Sequence, residues 1–134
     1  MKFSTRTTYA LRALLCLAKA KEGSLSLTVI AKQEKLSAKY LEAIFSDLKK
    51  AGLVKSAQGS RGGYQLAKKP AQISVLMVTE AIGEQTKAFH CSTKDGKIYC
   101  QAGCSCGVNL VMAKVNQSIK LTLSKIKLAA LIKN

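Results

Sequence analysis

Four of the five cysteines in this 134-residue chain lie within one stretch of sixteen residues. They are Cys91, Cys100, Cys104 and Cys106, in the run "HCSTKDGKIYCQAGCSCGVN". Clustered cysteines in a chain without secretion signals more often indicate metal or redox chemistry than structural disulfides. The stretch therefore predicts a metal centre or a reactive thiol site.

The residues around these cysteines leave more than one chemistry open. Four thiolates can form a tetrahedral zinc site. The positive charges of Lys94 and Lys97 would lower the pKa of nearby thiols and favour a thiol or disulfide switch. The fifth cysteine, Cys16, has small apolar neighbours in sequence and is interpreted as a packed thiol.

The composition predicts a folded protein with a polyanionic partner. Apolar residues make up 48% of the chain, enough for the core of one domain, and 22 Lys and Arg residues face only 7 Asp and Glu. A formal charge of +15 costs self-repulsion, which a nucleic-acid partner would relieve. The alternative is a basic surface that serves solubility alone.

The sequence also predicts a cytoplasmic protein without a membrane partner. The first uninterrupted apolar run, residues 13 to 18, is too short for the core of a signal peptide. Every apolar run is shorter than the roughly 18 residues that a membrane-spanning helix needs.

The elements that must position the chemistry begin with three helices. Helical periodicity predicts a first helix from Thr5 to about Ala20, with Leu11, Leu14, Leu15 and Ala18 on its apolar side and Gly23 as its stop. A short helix from Thr28 to about Glu34 follows. The residues "KLS" then lead into a helix capped by Ser37, so the pair predicts a helix-turn-helix.

The helix after Ser37 has the pattern of a DNA-recognition helix. The apolar side chains at positions 41, 44, 45 and 48 form one stripe, and Gly52 stands where a left-handed helix end is needed. The opposite side carries Lys39, Ala43, Ser46 and Lys50, which are small or polar enough to enter a major groove. An ordinary solvated helix face would show the same spacing.

A β-hairpin follows directly. Two extended runs, 53 to 57 and 64 to 67, flank the turn "QGSRGG", and Arg61 lies near its tip. A hairpin in this position, in a chain of this charge, predicts the wing of a winged helix.

The remainder of the chain predicts two more helices around the cysteines. Pro70 ends the wing, and a short helix is expected from about Ile73 to Ile82 with Gly83 as its stop. After the polar stretch 84 to 107, a long helix places residues 108, 111, 112, 115 and 119 on one apolar side. That side is expected to form a dimer seam, or else to pack on its own domain. The last residues show no clear period.

These motifs resemble the bacterial winged-helix transcription regulators of the IscR, NsrR and CymR family. The likeness is carried by "KFSTRTTYALRALLCLA", by "SAKYLEAIFSDLKKAGLVKSAQGSRGGYQLAK" and by the cysteine stretch, from about residue 2 to residue 119. It implies a homodimer that binds double-stranded DNA at a palindromic operator. It also implies DNA contacts at Ser37, Lys39, Tyr40, Glu42 and Arg61.

The resemblance further implies that the cysteine stretch holds an iron-sulfur cluster. Cys91, Cys100 and Cys106 correspond to the family's ligands, and Cys104 would complete a four-thiolate set for a [2Fe-2S] or [4Fe-4S] cluster. Asn109 stands where some relatives place a histidine ligand, and Gln58 stands where many carry a wing arginine. His90 is a further ligand candidate. A cluster ranks first, a thiol switch second, and zinc or no metal third.

Together these observations predict a mostly α fold with a small β-hairpin wing: a winged helix-turn-helix followed by a long C-terminal dimerisation helix. The expected division is residues 1-83 for DNA binding, 84-107 for a sensor loop and 108-134 for dimerisation, in one compact unit. The predicted function is a transcription regulator, not an enzyme, because the chain lacks the Cys-x-x-Cys and α/β pattern of a thiol oxidoreductase. A regulator controlled by a partner protein is the remaining alternative.

Overall fold

The computed structural model describes residues 3–59, 62–84 and 107–133. In chain order, the elements are α1 (Thr5–Ala18), α2 (Leu27–Glu34), α3 (Ala38–Lys50), β1 (Val54–Ser56), β2 (Tyr64–Leu66), a 3-10 turn (Pro70–Gln72), α4 (Val75–Ala81), α5 (Gly107–Lys125) and α6 (Leu128–Ile132). The predicted mostly α fold with a β-hairpin after the third helix is therefore present.

Serine hydroxyls begin the first four α-helices. Ser4, Ser26, Ser37 and Ser74 are the N-cap residues, and each Oγ accepts a hydrogen bond from the backbone N–H three residues later. An N-cap of this kind satisfies one of the backbone donors that a helix start leaves without an intrahelical partner, and it contributes about 1 kcal/mol. These caps are local signals, which explains why the starts of α2 and α3 agree with the predictions to within one residue.

The core is built around α3. Leu41, Ile44, Phe45 and Leu48 are completely buried, as the stripe predicted. Between these positions the helix presents Lys39, Ala43, Ser46 and Lys50 to solvent. The helix ends before Gly52, whose φ of 71° is the left-handed value expected there.

The first helix differs from its prediction in two ways. It ends at Ala18, and Gly23 belongs to a later turn. Its buried side is centred on Ala10, Ala13 and Leu14, while Leu11 and Leu15 are only partly buried. Because α1 contacts α2, α3, α4 and α6, small alanine side chains suit its most crowded side.

The wing is a β-hairpin with a third chain segment at its base. β1 and β2 pair antiparallel, with Lys55 opposite Gln65. In addition to pairing with β1, Tyr64 of β2 forms an antiparallel bridge with Leu25. The distance from the Leu25 nitrogen to the Tyr64 oxygen is 3.0 Å, and that from the Tyr64 nitrogen to the Leu25 oxygen is 2.8 Å. The segment before α2 therefore anchors the wing, an arrangement that the hairpin pattern did not predict.

The helix expected from Ile73 to Ile82 begins later. Ile73 is extended and Ser74 is the N-cap, so α4 starts at Val75. The cause is a pairing with the C-terminal segment: Leu128 N–H donates to the carbonyl of Ile73, and Ser74 bridges to Lys127.

The C-terminal helices return to the first half of the chain. α5 contacts α4, and α6 contacts α1 and the 3-10 turn. Leu128, at the start of α6, is completely buried in the same core cluster as Phe45. The final residues thus complete the core, although their sequence shows no clear period.

Candidate nucleic-acid interface

The N-terminal end of α3 brings four of the five predicted DNA-contacting residues together. Ser37 caps the helix, with its Oγ 3.4 Å from the backbone nitrogen of Tyr40. Ser37, Lys39, Tyr40 and Glu42 are all exposed. Because a helix N-terminus points backbone N–H groups outward and carries a partial positive charge, this turn is suited to a phosphate as well as to base edges.

Tyr40 is held in place by the first helix. Its ring meets the ring of Tyr9 edge to face, with centroids 5.8 Å apart, and its residue remains 39% exposed. The guanidinium of Arg12 lies 6.0 Å from the Tyr9 ring centroid. Aromatic pairs of this geometry contribute about 0.5–1.5 kcal/mol, so the orientation of Tyr40 is partly fixed before any ligand binds.

Arg12 in turn connects α1 to the end of α2. Its Nε donates to the Glu34 carboxylate at 2.8 Å, and its Nη2 donates to the Glu34 backbone carbonyl at 2.9 Å. Sequence reasoning missed Tyr9 and Arg12, because their partners are more than twenty residues away and no local pattern marks them.

The wing is tied to α3 at two points. The Phe45 and Tyr64 rings have centroids 4.9 Å apart, and Lys49 Nζ lies 3.0 Å from Ser56 Oγ. These two contacts hold the strands of the wing against α3. Arg61, the fifth predicted contact, lies outside the described residues.

The charge beside the interface is mostly positive. Lys39, Lys50 and Lys55 are exposed on α3 and β1. Asp47 is engaged by the guanidinium of Arg6, and its Oδ1 also lies 3.9 Å from Lys50 Nζ. Exposed lysines at these positions are suited to the phosphate backbone of DNA.

The predicted cluster ligands Cys91, Cys100, Cys104 and Cys106 lie outside the described residues, as does His90. In the parts of the chain that the structure does describe, no group of three or more His, Cys, Asp or Glu side chains is placed to hold a metal ion.

Cys16 agrees with its interpretation as a packed thiol. It is partly buried against the core, and its Sγ lies 2.8 Å from Gln33 Oε1. Burial raises the pKa of this thiol, and the Glu34 carboxylate raises it further against the opposing effect of Lys19. A thiol with a raised pKa is a poor nucleophile at neutral pH.

Residues 3–134 match the family model of Rrf2, described as an iron-dependent transcriptional regulator. The chain belongs to the Rrf2 family. It is 38% identical over 133 residues to the HTH-type transcriptional regulator IscR of Aliivibrio salmonicida, a match that covers 98% of this chain and 77% of that protein.

Solved structures support the same Rrf2 assignment. CymR, the global cysteine regulator of B. subtilis, superposes with a TM-score of 0.81 at 28% identity, over 99% of this chain and 97% of that one. IscR from T. potens superposes with a TM-score of 0.76 at 34% identity, over 99% and 87% of the two chains.

These similarities confirm the predicted family and the winged helix-turn-helix. This Rrf2 protein is a DNA-binding transcriptional regulator, and its relatives are named as regulators and not as enzymes. Within the described ranges, we find no helix long and apolar enough to cross a membrane.

Proposed function

We propose that this Rrf2 protein acts as a homodimer that binds a palindromic operator, and that an iron-sulfur cluster on its loop cysteines controls this binding. In this proposal residues 1–83 bind DNA, 84–107 form the sensor and 108–134 carry the dimer helix. The observation that carries the DNA-binding part is the exposed first turn of α3, set beside an anchored wing in a chain of charge +15.

Specific recognition is assigned to the start of α3. Lys39 and Tyr40 are exposed there, and Ser37 and Glu42 flank them. Contacts to base edges specify the sequence, whereas lysine contacts to phosphate supply affinity and make it steeply dependent on salt. Arg61 is proposed as the wing contact on the basis of the family resemblance alone.

The dimer proposal rests on the outer side of α5. Leu110 and Val111 are each 59% exposed, and Val115 and Leu121 are also exposed. A shallow groove of about 450 Å³ runs along the same helix and is lined by Val115, Ile119 and Leu123 among others. A helix whose apolar side remains in solvent is best explained by a second copy of the chain, which would also match the symmetry of a palindrome.

The cluster proposal rests on the chemistry of the donor set. Cys91, Cys100, Cys104 and Cys106 provide four thiolates, which suit a [2Fe-2S] or [4Fe-4S] cluster, and the family description names iron. The described residues offer no competing metal site. When bound, the cluster would supply a group that oxidation, nitric oxide or iron shortage can remove.

Control of DNA binding requires only a modest coupling energy. An allosteric coupling of about 1–3 kcal/mol changes an affinity about 5- to 150-fold. In the proposed scheme, Glu84, at the start of the polar stretch 84 to 107 that contains the cysteines, joins this stretch to the helices that bind DNA.

A thiol switch is the second candidate. Lys94 and Lys97 lie among the cysteines in sequence, and positive charge favours the reactive thiolate. In that case the same DNA-binding half would be controlled by oxidation without a metal. The colour of the purified protein distinguishes the two, because iron-sulfur proteins are brown or red.

The test is to measure iron and acid-labile sulfide per chain, with a visible absorption spectrum, on protein purified without oxygen. Stoichiometric iron and sulfide are expected, together with their loss in Cys100→Ala and their retention in Cys16→Ala. Wild-type protein that contains zinc or no metal would contradict the cluster and leave the DNA-binding function standing.

A further inference from the structure

Glu84 joins the end of α4 to the beginning of α1. Its carboxylate oxygen Oε2 accepts hydrogen bonds from the Ser4 backbone N–H at 3.2 Å, from the Ser4 hydroxyl and from the Thr7 hydroxyl. Its own backbone N–H donates to the Thr79 carbonyl at 2.8 Å. The residue is therefore attached to α4 through its backbone and to α1 through its side chain.

The first turn of α1 is well suited to this carboxylate. Its sequence, Thr5 to Thr8, contains no acidic residue, so Glu84 supplies the negative charge that a helix N-terminus favours. Ser4 can donate its hydroxyl hydrogen to Glu84 while a lone pair accepts from the Thr7 backbone N–H. The hydrogen bonds from Ser4 and then Thr7 lower the pKa of Glu84, so the carboxylate stays charged at neutral pH.

The same turn of α1 is attached to the recognition helix. Arg6, between Ser4 and Thr7 in sequence, donates through Nη2 to the Asp47 carboxylate on α3. Three residues after Arg6, the ring of Tyr9 packs edge to face against the ring of Tyr40. Contacts to Glu84 and contacts to α3 thus alternate along one short piece of helix.

Glu84 also lies seven residues before Cys91, the first of the four clustered cysteines. The contact between Glu84 and α1 therefore lies where the chain leaves α4 and continues toward the cysteines. We propose that Glu84 is the positioning residue through which the state of the cysteine stretch reaches α3, by way of Ser4, Thr7 and the α1 contacts to Asp47 and Tyr40. This role rests on the proposed iron-dependent control of DNA binding.

The test compares Glu84→Gln with Glu80→Gln. Glu80 is an exposed glutamate on α4, so its replacement removes the same charge without touching α1. The DNA probe is a palindromic duplex selected from a random library with the wild-type protein. For each variant, the dissociation constant is measured with the iron-loaded protein and again after a chelator has removed the iron, and the ratio of the two is compared.

The ratio of the two dissociation constants is expected to be the same for the wild type and Glu80→Gln, at about 5- to 150-fold as in typical allostery. For Glu84→Gln, this ratio is expected to lie within about 2-fold of unity. A purely structural role for Glu84 would weaken both forms equally and leave the ratio unchanged. A Glu84→Gln ratio equal to that of the wild type, with iron content intact, would overturn the proposal.

A second variant covers the case in which Glu84→Gln does not fold. Thr7→Val keeps the shape of a completely buried side chain and removes one of the three donors to Glu84. Its ratio is expected to lie between those of the wild type and unity, and an unchanged ratio would again overturn the proposal. If the wild type itself binds equally well with and without iron, the iron-dependent function fails and the role of Glu84 fails with it.

Discussion

Replacing Gly63 by alanine is expected to disrupt the base of the wing. Gly63 has a φ of +124°, which alanine rarely adopts, and it lies directly before Tyr64 in the bridge to Leu25. An alanine Cβ would lie 2.6 Å from the Leu25 carbonyl oxygen and 2.8 Å from its carbonyl carbon. Because the obstructing atoms belong to the backbone of Leu25, no change of side-chain rotamer can relieve the clash.

The loss in free energy of unfolding depends on which part of the backbone moves to accommodate the alanine. If the backbone stays in place, the strain costs about 1–3 kcal/mol in addition to the clash. If Leu25 and Tyr64 separate instead, two backbone hydrogen bonds are lost at about 0.5–1.5 kcal/mol each. After the gain of about 0.4–1 kcal/mol from a stiffer unfolded chain, either route leaves a net loss of up to about 2.6 kcal/mol, and the close contact with the Leu25 carbonyl places the expected value in the upper part of that range.

Gly62→Ala is the matched control. Gly62 has a φ of +58° and no atom within 4 Å of the added Cβ, so only the left-handed conformation is penalised, at about 1 kcal/mol. Urea unfolding of the three proteins, followed by circular dichroism, gives the free energies of unfolding. Equal losses in the two variants, or a Gly63→Ala protein within about 0.5 kcal/mol of the wild type, would refute the argument from close backbone approach.

Three further results are expected. Val111→Asp should give a monomer by light scattering, because it places a charge in the proposed dimer seam; a stable dimer would move the seam elsewhere. Lys39→Ala should weaken binding to the selected duplex by about 1–3 kcal/mol and leave the iron content unchanged, whereas loss of iron would show that the two sites are not separate. Hydrogen bonds from Ser4 and Thr7 lower the pKa of Glu84 in the folded protein below its ordinary value of 4.5. The charged carboxylate therefore stabilises the fold above pH 4.5, and this stabilisation is lost as the pH falls through the lowered pKa. The difference in Tm between the wild type and Glu84→Gln should accordingly shrink on acidification.

The parts of the fold that could be predicted from the sequence are those that local chemistry decides. Ser37 as a cap, the buried stripe from Leu41 to Leu48 and the left-handed Gly52 all depend on neighbours within one or two helical turns. Their periodicity and capping patterns are visible in the sequence itself. The order of helix, turn, helix and hairpin then limited the fold to few choices.

The parts that could not be predicted depend on contacts between distant residues. Leu25 supports the wing, and Leu128 completes the core, through partners about forty or more residues away. The buried side of α1 was misjudged because Ala10 and Ala13 face several helices at once, and crowding favours small residues over the larger Leu11. No local pattern reports such crowding.

The candidate interface shows the same division. Ser37, Lys39, Tyr40 and Glu42 were assigned from the family resemblance, and the structure places them exposed at the start of α3. Tyr9, which holds Tyr40, belongs to a helix thirty residues earlier and carries no motif. Whether the clustered cysteines bind a metal stays a prediction for measurement.

The central claim is that loss of iron changes DNA binding. The direct measurement is the dissociation constant of wild-type protein, purified without oxygen and of known iron and sulfide content, for the selected palindromic duplex before and after a chelator removes the iron. A change of about 5- to 150-fold is expected from an allosteric coupling of typical size. Equal affinities for the iron-loaded and iron-free protein would contradict control by a cluster.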